Sequence, residues 1–171
     1  MGLVGCGRGP VGAAGGVEKV WLVPVGEITA CRYDAAAGGY TEVVLRKGAC
    51  FARYDFAEDT ASYRQYVSGE HPMSCIVHEL SFAFHGTGRD AAAAVEGLAA
   101  SGGGVAALVR TAEGGVWLAG WSPEFGEECP LRLADAVSET SEGYDGNPYV
   151  RVTLRSEDVS LSRPFLGAVP E

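Results

Sequence analysis

The run from Ser74 to Trp121 constrains this chain most, because it orders strand, short helix, strand, tight turn and strand in one stretch. Cys75 to His85 alternates: Ile76, Leu80, Phe82 and Phe84 fall on one face, and Glu79, Ser81 and His85 on the other. A period of two is that of a pleated strand with one face buried. Gly86-Thr87-Gly88 breaks it. Asp90 to Ala100 is rich in Ala, the best helix former, and Ala91, Ala94, Val95 and Leu98 share one apolar stripe. Thr87 with Asp90 three residues on is a weak capping box, and Gly102-Gly103-Gly104 closes the helix. Val105 to Arg110 and Val116 to Trp121 are two further strands, with Glu113-Gly114-Gly115 supplying the positive φ of a hairpin. The helix stripe is mostly Ala, so it is expected to flank a β core closely rather than form one.

On either side of this run the pattern is strand after strand. Val17 to Val25 alternates Val20, Leu22 and Pro24 against Val17, Lys19, Trp21 and Val23, and Pro24 suggests an edge or a strand end. Ile28 to Tyr33 and Tyr40 to Arg46 read as strands around the turn Asp34 to Gly39, and Lys47-Gly48 turns again. Cys50 to Phe56 is another strand. Ala57 to Met73 then becomes polar with aromatics at intervals, and reads as a long loop or a projecting hairpin. Its Tyr, Ser, Arg and Gln suit a contact surface and equally an ordinary solvated loop; loops beyond about 12–15 residues are usually functional or disordered. Ser122 to Asn147 is acidic and reads as a solvated face. Tyr149 to Arg155 is the last clear strand, with Val150, Val152 and Leu154 inward.

The expected architecture is mainly β with one flanking α-helix: a β-sandwich or a small barrel. At 171 residues one domain is expected, long enough to bury a core. The division is a flexible Gly-rich arm over 1–16, a single β-rich domain over 17–158 and an irregular tail over 159–171. Net charge is −9, which argues against tight binding of a phosphate backbone. Cys6, Cys31, Cys50, Cys75 and Cys129 are odd in number and form no CxxC pair, which favours a reducing compartment. Leu3-Val4-Gly5-Cys6 superficially fits a lipoprotein cleavage site but lacks a basic start and an apolar stretch of about 7–15 residues. No apolar run approaches the ~20 residues of a membrane span.

The sequence holds no catalytic constellation. His78 shares the strand face of Ile76 and Leu80, the setting of a satisfied core histidine, while His85 ends the strand facing out. His71, Cys75 and His78 have ligand chemistry, yet Cys75 and His78 lie three apart on a strand and project to opposite faces, which opposes a zinc site. No G-x-S-x-G elbow occurs, and Ser122 between Trp121 and Pro123 is in the wrong setting. Glu127 and Glu128 are adjacent, which is no evidence of an acid–base pair. Trp117 and Trp121 share a face with Ala119; that admits a sugar-stacking platform, though burial against the helix is the plainer reading. No cofactor is expected.

The order of elements resembles the phage tail-tube family with its contractile-tube and secretion-tube relatives. The resemblance rests on Gly16 to Leu22 as the opening strand and Phe51 to Tyr63 as a strand running into a projecting arm. It continues in the strand–helix–strand from Ser74 to Val109, the hairpin ending Trp117-Leu118-Ala119-Gly120, and Asp145 to Leu154 as the closing strand. It covers roughly Val17 to Asp158 and departs from the family in the Gly-rich start and the acidic Ser122 to Asn147. It implies a structural, non-enzymatic subunit that self-assembles into rings, usually of six, stacked into a tube around a lumen. It further implies tail sheath, terminator or baseplate proteins as partners, assembly in the bacterial cytoplasm and residence in a virion tail. The arm would be Ala57 to Met73, with Tyr63, Arg64 and Tyr66 as its interface. An acidic lining would keep DNA from adhering, and sheets of neighbouring subunits would join edge to edge. The rivals are another phage structural part, a carbohydrate- or ligand-binding β-sandwich using Trp117 and Trp121, and a hydrolase whose cleft gathers His and carboxylate groups.

Overall fold

The computed structural model describes residues 16–69, 74–140 and 146–170. In chain order the elements are β1 (Val17–Pro24), β2 (Ile28–Asp34), β3 (Gly39–Leu45), β4 (Ala52–Tyr54), β5 (Ser62–Ser68), β6 (Cys75–His85), α1 (Arg89–Ala100), β7 (Val105–Thr111), β8 (Val116–Ala119), β9 (Arg132–Glu139), β10 (Tyr149–Asp158) and β11 (Arg163–Pro164). Residues 1–15 of the Gly-rich arm expected over 1–16, His71 and Met73 at the end of the expected projection, and Glu142 and Asp145 of the acidic stretch lie outside the described residues.

The strands form a five-stranded sheet in the order β11-β8-β7-β1-β4, a four-stranded sheet in the order β5-β6-β10-β9, and the hairpin β2-β3. None closes into a barrel, so of the two expected architectures the open, layered one holds. Every strand pairing within these sheets is antiparallel.

The layers number three, and the five-stranded sheet is the middle one. One of its faces meets the four-stranded sheet: Val20, Leu22, Ala107, Val109 and Ala119 pack against Leu80, Phe82, Val152 and Leu154. Its other face is covered by the β2–β3 hairpin and the C-terminal segment: Trp21, Val23, Ala106, Leu108 and Leu118 pack against Ile28, Tyr40 and Phe165. A strand buried on both faces needs no polar alternation. That is why Val105 to Val109 is an unbroken run of buried residues and why Trp21, Leu22 and Val23 are buried together. Pro24 marks a strand end opposite Val105, not an edge, since β1 lies between β7 and β4.

The helix flanks the core as its Ala-rich stripe requires. Ala91 and Leu98 are buried and Val95 packs on the inter-sheet cluster beside β9 and β10. Its start is not a capping box: Gly88 occupies the N-cap with no side-chain bond, and Thr87 plays no part in closing it. At its end the Ser101 hydroxyl donates to the Leu98 carbonyl at 2.6 Å. Gly104 then turns at φ +81°, where a Cβ would meet Pro130 at 2.7 Å.

Several expectations change. Of the stretch expected as a long loop or a projecting hairpin, the described residues 57–69 are not a loop: Thr60 bonds the Ala57 carbonyl at 2.6 Å, and Ser62 to Ser68 pair residue by residue with Ser81 to Cys75. β6 pairs with β10 along one backbone edge, and β5 fills the other. The described part of the acidic stretch is solvated over β9, where only Leu133 is half-buried, but the fully buried Leu131 just before it anchors the stretch to the core. The tail from 159 is not irregular throughout: β11 pairs with β8, and Phe165 enters the second core cluster. The strand expected over Cys50 to Phe56 shortens to Ala52–Tyr54, although Phe51 and Tyr54 do face opposite clusters.

Candidate functional site: two open edges and a buried polar cluster

The four-stranded sheet ends in β5 on one side and β9 on the other, and among the described residues neither edge has a further partner strand. Both edges are long, of 7 and 8 residues, so each leaves a row of backbone donors and acceptors facing water. Apolar side chains stand on both: Val67 is 69% and Tyr66 40% exposed on β5, and Val137 is 42% exposed on β9. Such residues on an unpaired edge favour pairing with another strand.

The three residues singled out as an interface divide between two faces. Tyr63 points inward, opposite Leu80, and packs on the inter-sheet core. Arg64 and Tyr66 stand on the outer part of the edge, where Arg64 pairs with Glu79 across the ladder. The outer face of this sheet carries Arg64, Arg132, Arg151 and Arg155 against Glu79, Asp135, Glu139 and Glu157, so its charge is balanced rather than acidic. There Arg151 lies over the Tyr149 ring at 5.7 Å, and the Tyr149 hydroxyl donates to Glu139 at 2.6 Å.

Behind the β5 edge sits a buried polar cluster around His78. The Tyr63 and Ser162 hydroxyls lie 3.0 and 3.1 Å from its Nδ1, and its Nε2 lies 3.0 Å from the Ser160 carbonyl. A carbonyl only accepts, so the proton is on Nε2 and Nδ1 is the acceptor. The two hydroxyls also bond one another, so one donates to Nδ1 and the other to the first. The Ser162 amide donates to Gln65 Oε1 at 2.7 Å. Burial holds the His78 pKa below its ordinary value, against the opposing pull of the Ser160 carbonyl and the Asp158 charge. Burial likewise raises the Tyr63 phenol. Next to it, Asp158 accepts from the Ser122 hydroxyl at 2.9 Å and the Val159 amide at 2.6 Å, while the Ser122 oxygen accepts from the amides of Glu124 and Phe125 at 3.1 Å.

A serine beside a histidine is the pairing used for nucleophilic attack when an acid orients the base. Here a backbone carbonyl holds the far nitrogen, and Ser162 is 7% exposed. The arrangement acts as a clamp: it fastens the segment after β10 to β5 and β6. Sequence reasoning identified His78 as a satisfied core histidine and weighed Ser122 only as a nucleophile, but missed Ser162 and Asp158. The one available signal was that β10's alternation continues past Arg155 to place Ser156 and Asp158 inward.

The remaining candidates separate. Cys75 and His78 do project to opposite faces, opposite Ser68 and Gln65, and no metal-binding group of His, Cys, Asp and Glu occurs among the described residues. Trp117 and Trp121 do not share a face, because β8 ends at Ala119 and Gly120 turns at φ +75°. Trp121 packs on the second core cluster; Trp117 lines a cleft with Val17, Tyr63 and Gln65, away from the helix. Glu127 and Glu128 are both exposed. His85 and Asp90 line a cleft of about 550 Å³ with Tyr54, Phe56 and the ion pair Arg53–Asp55; no hydrogen bond among the described residues orients His85. No protein-family model, curated relative or solved structure matches this chain. No described helix is long and apolar enough to cross a membrane.

Proposed function

We propose that this protein is a structural subunit that assembles with copies of itself through the two open edges of its four-stranded sheet. The observation that carries the reading is that both edges are unpaired among the described residues, lie on opposite sides of one sheet, and bear exposed Tyr66, Val67 and Val137. Edges on opposite sides make a heterologous, head-to-tail contact, which yields a closed ring where the rotation closes and a filament where it does not. The strand order supports it. Directions alternate from β5 to β9 over four strands, so a neighbour in the same orientation presents its β9 antiparallel to β5.

The resemblance to tail-tube proteins points the same way and sets the expected ring at six, stacked as the tube of a phage or prophage-like tail and assembled in the bacterial cytoplasm. The revised role of the segment after Phe56 fits such a part: instead of a loose arm, it is a formed strand ready to be extended. The balanced outer face of the sheet replaces the acidic lining as the surface such a lumen would offer, with as many carboxylates as guanidinium groups and so little net attraction for phosphate.

Sedimentation and negative-stain imaging over a range of protein concentrations test this. Rings, stacked rings or filaments are expected. A chain that stays monomeric at millimolar concentration, with and without seeds of assembled material, would refute it.

A further inference from the structure

The register of that contact can be read from the two edge strands, and the inference rests on the assembly reading above. Side chains alternate between the faces of a sheet, so an added strand must set outer residues opposite outer residues. On β5 the outer residues are Ser62, Arg64, Tyr66 and Ser68; on β9 they are Asp135, Val137 and Glu139, with a bulge at Ala134. Sliding β9 of one copy along β5 of another by steps of two leaves few choices. In one, Arg64 faces Glu139, Tyr66 faces Val137 and Ser68 faces Asp135. One step away, Arg64 faces Val137 and Tyr66 faces Asp135. One step the other way, Tyr66 faces Glu139 and Ser68 faces Val137. Opposite charges and apolar pairs across a ladder stabilise it, and mismatches do not. The first register alone matches both.

We propose that copies of this chain join head to tail in that first register. Residues 64–68 of one copy pair antiparallel with residues 135–139 of the next. Arg64 then lies between Glu79 of its own sheet and Glu139 of the next copy, and Tyr66 covers Val137. On the inner face Val67 sets against Ala136 and Gln65 against Ser138, so the most exposed apolar side chain of either edge loses water without meeting a charge.

Charge exchange tests it. Arg64→Glu and Glu139→Arg, each alone, are expected to reduce assembly at least tenfold in the concentration required. An equimolar mixture of the two chains is expected to assemble as the unsubstituted protein does, because every contact in an alternating array then pairs Glu with Arg. Glu139→Arg leaves the Arg64–Glu79 pair intact and gives up only the exposed bond from the Tyr149 hydroxyl, so its loss of assembly with a melting curve little changed is a folding-independent reading. The companion is a disulfide ladder: above the background set by the exposed Cys50 of the unsubstituted chain, Tyr66→Cys with Val137→Cys should cross-link chain to chain on oxidation, whereas Tyr66→Cys with Asp135→Cys should not. A bond within one chain is barred, since β5 and β9 are separated by two strands, about 14 Å at ~4.8 Å per strand. Assembly that survives both single exchanges, or a ladder from the Asp135→Cys chain and not the Val137→Cys chain, overturns the register while leaving self-assembly in place. An unsubstituted chain that never assembles overturns both.

Discussion

Replacing His78 by Leu removes the hub of the buried polar cluster without removing much volume. The Ser160 carbonyl loses its donor, and one of the hydroxyls of Tyr63 and Ser162 loses its acceptor. Those two hydroxyls still bond each other, so one or two polar groups are stranded rather than three. At about 1–3 kcal/mol for each buried unsatisfied group, the expected loss is about 2–4 kcal/mol. That is a large part of a total stability of roughly 5–15 kcal/mol, and it lowers the melting temperature by about 4–16 °C for a chain of this size. Tyr63→Phe is the graded control: the Ser162 hydroxyl can still donate to Nδ1, so the loss should stay near ~0.5–1.5 kcal/mol. The pH dependence carries a sign. Because burial lowers the His78 pKa in the fold, the unfolded chain takes up the proton first as pH falls. The histidine's contribution is therefore complete above its unfolded value of ~6.5 and declines below it, toward the folded value. Urea melts from pH 5 to pH 8 measure this as the difference between the unsubstituted and Leu chains, which should narrow toward acid. A His78→Leu chain within ~0.5 kcal/mol of the original at neutral pH, or a difference that widens toward acid, would refute the clamp.

Other outcomes follow from the same structure. Val67→Lys combined with Val137→Lys should abolish assembly, as edge lysines do, while moving monomer stability by no more than ~0.5 kcal/mol; sedimentation paired with a melt separates the two. Phe165→Ala should cost about 3–5 kcal/mol in urea melts, because a buried ring of the second core cluster comes from a segment that the sequence pattern leaves irregular. Cys31 should react with thiol reagents far more slowly than the exposed Cys50 at pH 8, since burial pushes its pKa up to about 12 and leaves roughly one thiolate in 10,000; peptide mapping after brief alkylation reads the ratio.

Strands whose two faces meet different solvents were legible. β6 and β10 alternate as they pair, and the helix stripe of Ala91, Val95 and Leu98 faces the core as its spacing demands. β9 was not legible as a strand, because a bulge near Ala134 breaks the period and every residue except Leu133 is exposed, so no apolar alternation marks it. β5 was hidden for a related reason. Its inner Tyr63 and Gln65 meet polar partners, His78 and Ser162, that come from distant parts of the chain. Of the interface residues named from sequence, the fold turns Tyr63 inward and leaves Arg64 and Tyr66 on the edge; Val67 and Val137 carried no sequence signal because exposure, not residue type, sets them apart.

By itself the sequence determined that this chain is a β protein with one small-faced helix, because local periodicity and turn chemistry depend only on near neighbours. Only the tertiary structure decided that a third layer covers the far face of the central sheet, that the last segment is clamped by His78, and that the four-stranded sheet ends in two open edges. Those features depend on which strands meet across long stretches of chain, and pairing of that kind leaves no period in the residues that make it.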